Sequence, residues 1–145
     1  MKQLIIDSSV FNKLYLEEAD SEQAVALFTR ATAREFELQA PDLLYLEVIS
    51  TANSYKVPID HVVQLLDFQT RYLLQLRSLT RTEMRKAIEI TQQGHPQSGY
   101  PSIYDSVFHA MALSNNATLV TADRRHYEKT KHLGNIVQLK DIASL

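Results

Sequence analysis

Cysteine is absent from this sequence. Its absence excludes disulfide bonds, thiolate zinc sites and a cysteine nucleophile. Glycine and proline are scarce, at three and four residues, and no repeat or low-complexity tract marks an interdomain linker. No apolar run is long enough to cross a membrane, and the opening MKQLIIDSS becomes polar too early for a signal peptide. We therefore expect residues 1–145 to form a single domain in the cytoplasm.

An excess of basic residues, which is the usual mark of a nucleic-acid-binding protein, is also missing. The chain has 15 lysines and arginines against 17 aspartates and glutamates, so its net charge is −2. A cluster of acids at a metal site would mask a basic rim in this sum. The net charge therefore leaves nucleic-acid binding open.

Short apolar runs of the kind that form buried strands alternate with segments of helical periodicity. The runs are QLIID at 3–7, ELQA at 37–40, LLQL at 73–76, TLVTA at 118–122 and NIVQL at 135–139. The segment VFNKLYLEE predicts a first helix, and capping-box patterns at Asp20–Gln23 and Thr80–Glu83 predict the starts of two more. Strands separated by helices predict an α/β fold in three layers, with a central, mainly parallel sheet flanked by helices.

Four carboxylates occupy positions near the carboxyl ends of these strands, where α/β sheets place their functional groups. Asp7 ends the first run, Asp123 follows the fourth, Asp105 lies in the first turn of a helix, and Glu47 lies inside the apolar stretch LLYLEVIS. Carboxylates that converge repel one another unless a cation holds them. Oxygen ligands without cysteine suit Mg²⁺ or Mn²⁺, the usual equipment for hydrolysing phosphodiesters. The pattern therefore predicts a metal site.

Each acid also has a purely structural interpretation. Asp7 and Asp123 precede helices and are suitable N-caps, since aspartate is a preferred residue there. Asp105 completes an S-x-x-D pattern with Ser102, which is close to a capping box. Glu47 would then be a solvated position on an amphipathic helix. The placement of all four acids near strand ends favours the metal site over these separate explanations.

The order and context of these motifs resemble the PIN domain family, and most closely its VapC-like toxin ribonucleases. The resemblance is carried by IIDSSVFNKLYLEEADSEQAVALF, by LEVIST with Glu47, by YDSVFHAMAL with Asp105, and by LVTADRRHYEKTKHLGNIVQL with Asp123. It covers nearly the whole chain. Two positions depart from the commonest pattern, because Phe108 stands where tyrosine is usual and His109 where an aliphatic residue is usual.

The resemblance implies a Mg²⁺- or Mn²⁺-dependent RNA endonuclease that is often a homodimer and is inhibited by a small antitoxin protein. Asp7, Asp105 and Asp123 would hold the metal, and Glu47 would bind it directly or through a water molecule. Ser8 and Thr121 match positions whose hydroxyls support the acidic cluster.

A basic run follows Asp123 directly and comprises Arg124, Arg125, His126, Lys129, Lys131 and His132. It is either a positive rim that binds RNA phosphates, with Arg124, Arg125 and Lys129 as its candidates, or a solvated helix face. Three aromatic residues, Tyr100, Tyr104 and Tyr127, are candidates for stacking on unpaired bases, although packing is the default for them. His109 is either a metal ligand or proton donor, or a partly buried histidine bonded to Asp105 or to the backbone, and the second role is the default.

Three other functions remain open beside a toxin ribonuclease. The first is a housekeeping PIN nuclease that processes RNA without an antitoxin, and the second is a nuclease-dead module that binds RNA or protein. The third is an α/β domain with other phosphate chemistry, but a phosphatase of the two-aspartate type needs D-x-D near the first strand. Asp7-Ser8-Ser9 does not match that motif.

Overall fold

Five strands form one sheet at the centre of the molecule in the computed structural model, which describes residues 1–145. The strands are β1 Lys2–Ile6, β2 Phe36–Pro41, β3 Leu74–Arg77, β4 Thr118–Thr121 and β5 Ile136–Gln138. Their order across the sheet is β3-β2-β1-β4-β5, and all four pairings are parallel. The predicted α/β fold with a central parallel sheet is confirmed.

Helices connect the strands, as parallel pairing requires. They are α1 Ser8–Asn12, α2 Ser21–Thr32, α3 Leu43–Ser54, α4 Ile59–Tyr72, α5 Arg81–Thr91, α6 Ile103–Ser114 and α7 Arg124–Thr130. Short 3₁₀ helices follow at Lys131–Leu133 and Leu139–Ser144. No helix combines the length and the apolar character that crossing a membrane requires.

The middle strand, β1, is fully buried over its last three residues because strands and helices cover it on every side. Leu4 pairs with Leu38 of β2 on one side and with Thr118 of β4 on the other. The chain runs outward from β1 through β2 to β3 and then returns to the other side of β1 as β4. Sheets of this kind have a crevice at the carboxyl ends of the two strands where the direction reverses. Here those strands are β1 and β4.

The helix α6 is buried from Ser106 to Ala112 and packs against α5, β1, β2 and β4. Its sequence, IYDSVFHAMALS, is apolar around most of its circumference, which is the pattern of a helix covered on all sides. The buried middle of α6 fixes the position of its first turn, which contains Asp105.

Two local predictions were wrong. The helix predicted over VFNKLYLEE ends at Asn12, after which i→i+3 backbone bonds form and Lys13 makes ion pairs with Glu18 and Asp20. Because the Asp20 carboxylate is held 3.0 Å from the Lys13 ammonium, it does not cap α2, although α2 does begin at Ser21.

The other capping box is confirmed. The Thr80 hydroxyl accepts from the Glu83 N–H at 3.1 Å, and the Glu83 carboxylate accepts from the Thr80 N–H at 2.9 Å. The apolar stretch that contains Glu47 forms the helix α3, from Leu43 to Ser54.

Candidate active site

Asp7 lies directly after β1 and joins the ends of β1 and β4. Its carboxylate caps α1 by accepting from the Val10 N–H at 3.3 Å. The hydroxyls of Ser9 and of Thr121, the last residue of β4, also donate to it. The Ser9 oxygen in turn accepts from the Ala122 N–H at 2.9 Å. Asp7 is therefore both a cap and the centre of a hydroxyl network across the two central strands.

Asp123 is the N-cap of α7, as its structural interpretation predicts. One carboxylate oxygen, Oδ1, accepts from the N–H groups of Arg125 at 3.0 Å and His126 at 3.2 Å. Its own N–H donates to the Thr121 hydroxyl at 3.1 Å, which ties it to the network around Asp7. The other oxygen, Oδ2, accepts no hydrogen bond from the protein and is free to bind a ligand.

Glu47 lies one turn into α3, between buried Leu44 and Val48, and is itself partly buried. Its only hydrogen-bond partner is the Ser8 hydroxyl, which donates to Oε1 at 3.0 Å. No lysine or arginine forms an ion pair with it. Burial of a carboxylate without a cation is costly, so Glu47 is neither the solvated position nor the ion-paired residue that an ordinary helix would contain.

Asp105 lies in the first turn of α6, where Ser102 is the N-cap. The Ser102 hydroxyl accepts from the Asp105 N–H at 3.1 Å. The reciprocal bond of a capping box, from the Ser102 N–H to the Asp105 carboxylate, is not formed. No backbone N–H group therefore binds this carboxylate, and helix capping does not explain its presence.

These four residues, Asp7, Glu47, Asp105 and Asp123, are hereafter called the acid edge. Burial raises the pKa of Asp7 to about 6, against the effect of its hydrogen bonds, and the charge of Asp105 adds to the rise. Burial likewise raises the pKa of Glu47 to about 7, with contributions from Asp105 and Asp7. Burial and the charge of Asp123 raise the pKa of Asp105. Asp105 is thus close enough to Asp7, Glu47 and Asp123 for repulsion, and Asp7 also repels Glu47.

No cation of the protein compensates this repulsion directly. None of the salt bridges involves a residue of the acid edge. Lys129 of α7 is near enough to lower the pKa of Asp105, but it is not within ion-pair distance. The donor set, which consists of carboxylates and hydroxyls, suits Mg²⁺ or Mn²⁺. The side chains are not, however, drawn together into a group of three or more that could hold an ion.

Only some residues of the basic run after Asp123 are exposed and positively charged. Arg124 and Arg125 are exposed and Lys129 is partly exposed. His126 is buried, and burial lowers its pKa to about 4, so it carries no charge at neutral pH. Lys131 is exposed but pairs with Glu128 at 2.9 Å. The positive surface beside the acid edge therefore rests on Arg124, Arg125 and Lys129.

His109 is buried and bonds to the backbone, with Nε2 2.7 Å from the Gly134 carbonyl oxygen. It does not contact Asp105, and its ring instead meets that of His126 edge-on, with the ring centres 5.9 Å apart. Burial lowers the pKa of His109 to about 4. This neutral pair packs α6 against α7 and takes no part in the acid edge.

Sequence reasoning missed Ser9. It singled out Ser8 and Thr121 as supporting hydroxyls, and the structure places Ser8 on Glu47 and Thr121 on Asp7. The second serine of Asp7-Ser8-Ser9 donates to Asp7 and also binds the chain after β4. The available signal was the pair of hydroxyls directly after a strand-ending aspartate, since serine side chains in such positions bond to nearby backbone and carboxyl groups.

Comparison with solved structures identifies the fold. VapBC-1 from nontypeable Haemophilus influenzae is 12% identical, with a TM-score of 0.70 over 96% of this chain and 99% of that one. VapBC2 from Rickettsia felis, solved bound to a DNA fragment from its promoter, is 13% identical, with a TM-score of 0.68 over 94% and 96%. VapC20 from Mycobacterium tuberculosis, a Sarcin-Ricin loop cleaving toxin, is 13% identical, with a TM-score of 0.64 over 81% and 86%.

At such low identity these likenesses show a shared fold and no more. None of the curated proteins matches this chain in sequence. The model of the PIN domain, in contrast, matches residues 4–132, which includes the last three residues of β1, all of β4 and all four residues of the acid edge. Because this match spans well over half of its length, the chain belongs to the PIN domain family.

Proposed function

We propose that this chain is a Mg²⁺- or Mn²⁺-dependent endoribonuclease that hydrolyses RNA phosphodiester bonds and is the toxin of a toxin–antitoxin pair. The observation that carries the proposal is the acid edge. Four carboxylates from four segments of the chain lie at this edge, three of them have raised pKa values, and none forms a salt bridge. Such a site stores repulsion that a divalent cation relieves.

Asp7, Asp105 and Asp123 are the proposed metal ligands, and Glu47 binds the ion directly or through a water molecule. Oxygens without a hydrogen bond from the protein remain on Glu47 and Asp123. When bound, the ion lowers the pKa of the attacking water and neutralises charge on the phosphate. The hydroxyls of Ser8, Ser9 and Thr121 orient the carboxylates of Glu47 and Asp7 for this role.

The proposed substrate is RNA. Exposed Arg124 and Arg125 follow Asp123 on α7, and Lys129 lies near Asp105. We infer that they bind phosphates of the RNA backbone, and each such contact releases counterions. A positive surface next to uncompensated carboxylates suits a polyanion that arrives with a divalent cation.

The proposed protein partner is a small antitoxin. Several solved relatives of the same fold are VapBC or toxin–antitoxin complexes, from Klebsiella pneumoniae and Salmonella typhimurium among others. We further propose that residues 1–145 act as one PIN domain, in the cytoplasm and as a homodimer. A gene for a small protein adjacent to this one, whose product co-purifies with it and blocks cleavage, would support the toxin assignment over a housekeeping nuclease.

Metal dependence is tested with a labelled single-stranded RNA and purified protein. Cleavage should require added Mg²⁺ or Mn²⁺, stop in excess EDTA and return when the metal is restored in excess. Cleavage that continues undiminished in EDTA would refute the metal mechanism. If the unmodified protein cuts neither RNA nor single-stranded DNA with any divalent ion, the nuclease assignment fails and a binding module becomes the better explanation.

A further inference from the structure

The helix α1 is a single short turn that begins directly after Asp7. It has five residues, and its first, Ser8, donates to Glu47 of α3 at 3.0 Å. So short a helix gains little stability from its own backbone hydrogen bonds. The position of α1 against α3, and with it the spacing of Asp7 and Glu47, therefore depends on contacts that side chains make.

Asn12, the last residue of α1, makes a second polar connection towards α3. It follows Ser8 by four residues, so both lie on one face of the helix, and it is only 8% exposed. The Tyr15 hydroxyl donates to Asn12 Oδ1 at 2.8 Å and lies 3.4 Å from the Val48 carbonyl oxygen of α3. Val48 directly follows Glu47 and is fully buried. The hydroxyl therefore joins the end of α1 to the part of α3 that holds Glu47.

The surroundings of Tyr15 make its hydroxyl a fixed donor. Its side chain packs against the hydrophobic core. The backbone after α1 folds back, because the N–H groups of Tyr15 and Leu16 both donate to the Asn12 carbonyl oxygen, at 3.2 and 2.9 Å. Burial raises the pKa of Tyr15 to about 12, so the phenol keeps its proton throughout the neutral range.

We propose that Tyr15 is a positioning residue for Glu47, whose hydroxyl fixes α1 against α3 and thereby sets the spacing of the Asp7 and Glu47 carboxylates. This inference rests on the proposed function and adds a residue to the site. Without that hydroxyl, the Ser8–Glu47 bond is the only hydrogen bond left between residues 8–16 and α3. Residues that orient metal ligands from outside the first layer typically change metal affinity or activity by roughly 10- to 100-fold when they are removed.

Tyr45 is the matched control. It lies on the same helix as Glu47, two residues before it, and is partly buried like Tyr15. Its hydroxyl donates to Asp67 of α4 at 3.3 Å. Tyr45→Phe therefore removes a comparable phenol hydrogen bond from α3, but one that connects this helix to α4 and not to α1.

The test measures Mn²⁺ binding by isothermal titration calorimetry without RNA. Tyr15→Phe should raise the Mn²⁺ dissociation constant by roughly tenfold. Asn12→Leu should have the same effect, because it keeps the size of the side chain but removes the acceptor of the phenol. Tyr45→Phe should bind Mn²⁺ like the unmodified protein. Melting in EDTA checks that each variant is folded.

Cleavage of a labelled single-stranded RNA is measured beside binding, at a Mn²⁺ concentration below saturation. In Tyr15→Phe, kcat should fall by roughly tenfold while KM for RNA stays the same, because the phenol is proposed to act on the metal ligand and not on the substrate. Tyr15→Phe is then combined with Glu47→Gln. If the phenol acts through Glu47, it should have no further effect on Mn²⁺ binding in that background.

The inference is overturned if Tyr15→Phe binds Mn²⁺ like the unmodified protein, if Tyr45→Phe loses as much, or if the losses of Tyr15→Phe and Glu47→Gln add. Mn²⁺-dependent cleavage by the unmodified protein would retain the proposed function in each of these cases. An unmodified protein that binds Mn²⁺ without cleaving RNA would refute the nuclease, and the binding measurements would still decide the role of Tyr15. A protein that neither binds Mn²⁺ nor cleaves would refute both.

Discussion

The carboxylates of the acid edge and the buried carboxylate of Glu83 have pKa values shifted in opposite directions. In the acid edge no carboxylate forms a salt bridge, and burial raises the pKa of Asp7 and Glu47 to about 6 and about 7. Glu83 of α5, in contrast, is only 2% exposed yet has a pKa lowered to about 2. The surroundings of each carboxylate, rather than burial alone, decide the direction of the shift.

Both oxygens of the Glu83 carboxylate accept two hydrogen bonds each. The Arg77 guanidinium donates to both of its oxygens at 2.8 and 2.6 Å, and the Asn115 side chain and the Thr80 N–H also donate to it. Burial acts to raise its pKa, but these bonds together outweigh burial. Glu83 thus bonds to residues at the ends of β3 and α6, and the chain itself supplies its compensating cation, Arg77. At the acid edge no such cation is present, as expected of a site whose compensating charge comes from a bound ion.

The largest expected effect is the loss of cleavage in Asp105→Asn. Asparagine caps a helix about as well as aspartate and has nearly the same shape, so the capping explanation expects normal activity. The metal-site explanation expects cleavage to fall by roughly a hundredfold or more, because a charged ligand of the ion is removed. Without metal the variant should melt at a higher temperature than the unmodified protein, because one repelling charge is gone. Mg²⁺ should stabilise it less.

Asp60→Asn is the matched control for that experiment. Asp60 is also an aspartate in the first turn of a helix, α4, but it is exposed and does not belong to the acid edge. Its cleavage rate and its stabilisation by Mg²⁺ should be those of the unmodified protein. Full cleavage by Asp105→Asn, or an equal loss in both variants, would remove the basis for the proposed site.

The second largest expected effect is a loss of folding stability when Glu83 loses its partner Arg77. Arg77→Met leaves Glu83 buried and charged without its cation, and it should lower the free energy of unfolding by about 3 kcal/mol. Lys86→Met breaks an exposed pair with Glu89 on the same helix and should cost less than about 0.5 kcal/mol. Urea denaturation of the two variants measures both values. Similar losses in the two would mean that the Arg77–Glu83 pair behaves as a surface pair.

The smallest expected effect is a difference between Glu47 and Glu83 in how their substitution changes Tm with pH. In EDTA, Glu47→Gln should be more stable than the unmodified protein above pH 7 by a few degrees in Tm, because the charged form of Glu47 is unfavourable. The folded pKa of about 7 exceeds the ordinary value of 4.5, so the folded state takes up the proton first as the pH falls. The difference in Tm should therefore shrink from pH 7 downward and vanish near pH 4.5.

Glu83→Gln should show the opposite sign in the same melting experiments. Its folded pKa of about 2 lies below the ordinary 4.5, so the stabilisation that the carboxylate provides is complete above pH 4.5 and is lost toward pH 2. The variant should be less stable than the unmodified protein at neutral pH. The buried histidines titrate in both proteins of each pair and cancel in the difference. If both substitutions changed Tm in the same direction at neutral pH, the opposite pKa shifts of Glu47 and Glu83 would be contradicted.

Local patterns in the sequence predicted the features that depend on neighbouring residues. The five apolar runs all became strands, and the Thr80–Glu83 box formed as predicted because both of its bonds join residues three apart. The same reasoning failed at Asp20, whose carboxylate is taken by Lys13 from the preceding loop. Helix capping contributes only about 1 kcal/mol, so a lysine that pairs with both Glu18 and Asp20 competes with it for the Asp20 carboxylate.

Side-chain contacts that depend on how the helices pack could not be predicted from the sequence. The bidentate bond of Arg77 to Glu83, the hydrogen bond of Asn115 to Glu83, and the burial of His126 inside a basic run depend on how α5, α6 and α7 pack. The choice of Ser9 for Asp7 and of Ser8 for Glu47 depends on which way each side chain points at the start of α1.

The sequence by itself determined that Asp7 and Asp123 would end strands, that Asp105 would begin a helix, and that Glu47 would interrupt an apolar helix face. These are consequences of periodicity and of short apolar runs, which are local. Only the tertiary structure decided that β1 and β4 are neighbours at the centre of the sheet, so that the Thr121 hydroxyl bonds to Asp7 although more than a hundred positions separate them. That outcome depends on burying apolar surface on both faces of the sheet at once, which no segment of the chain can do alone.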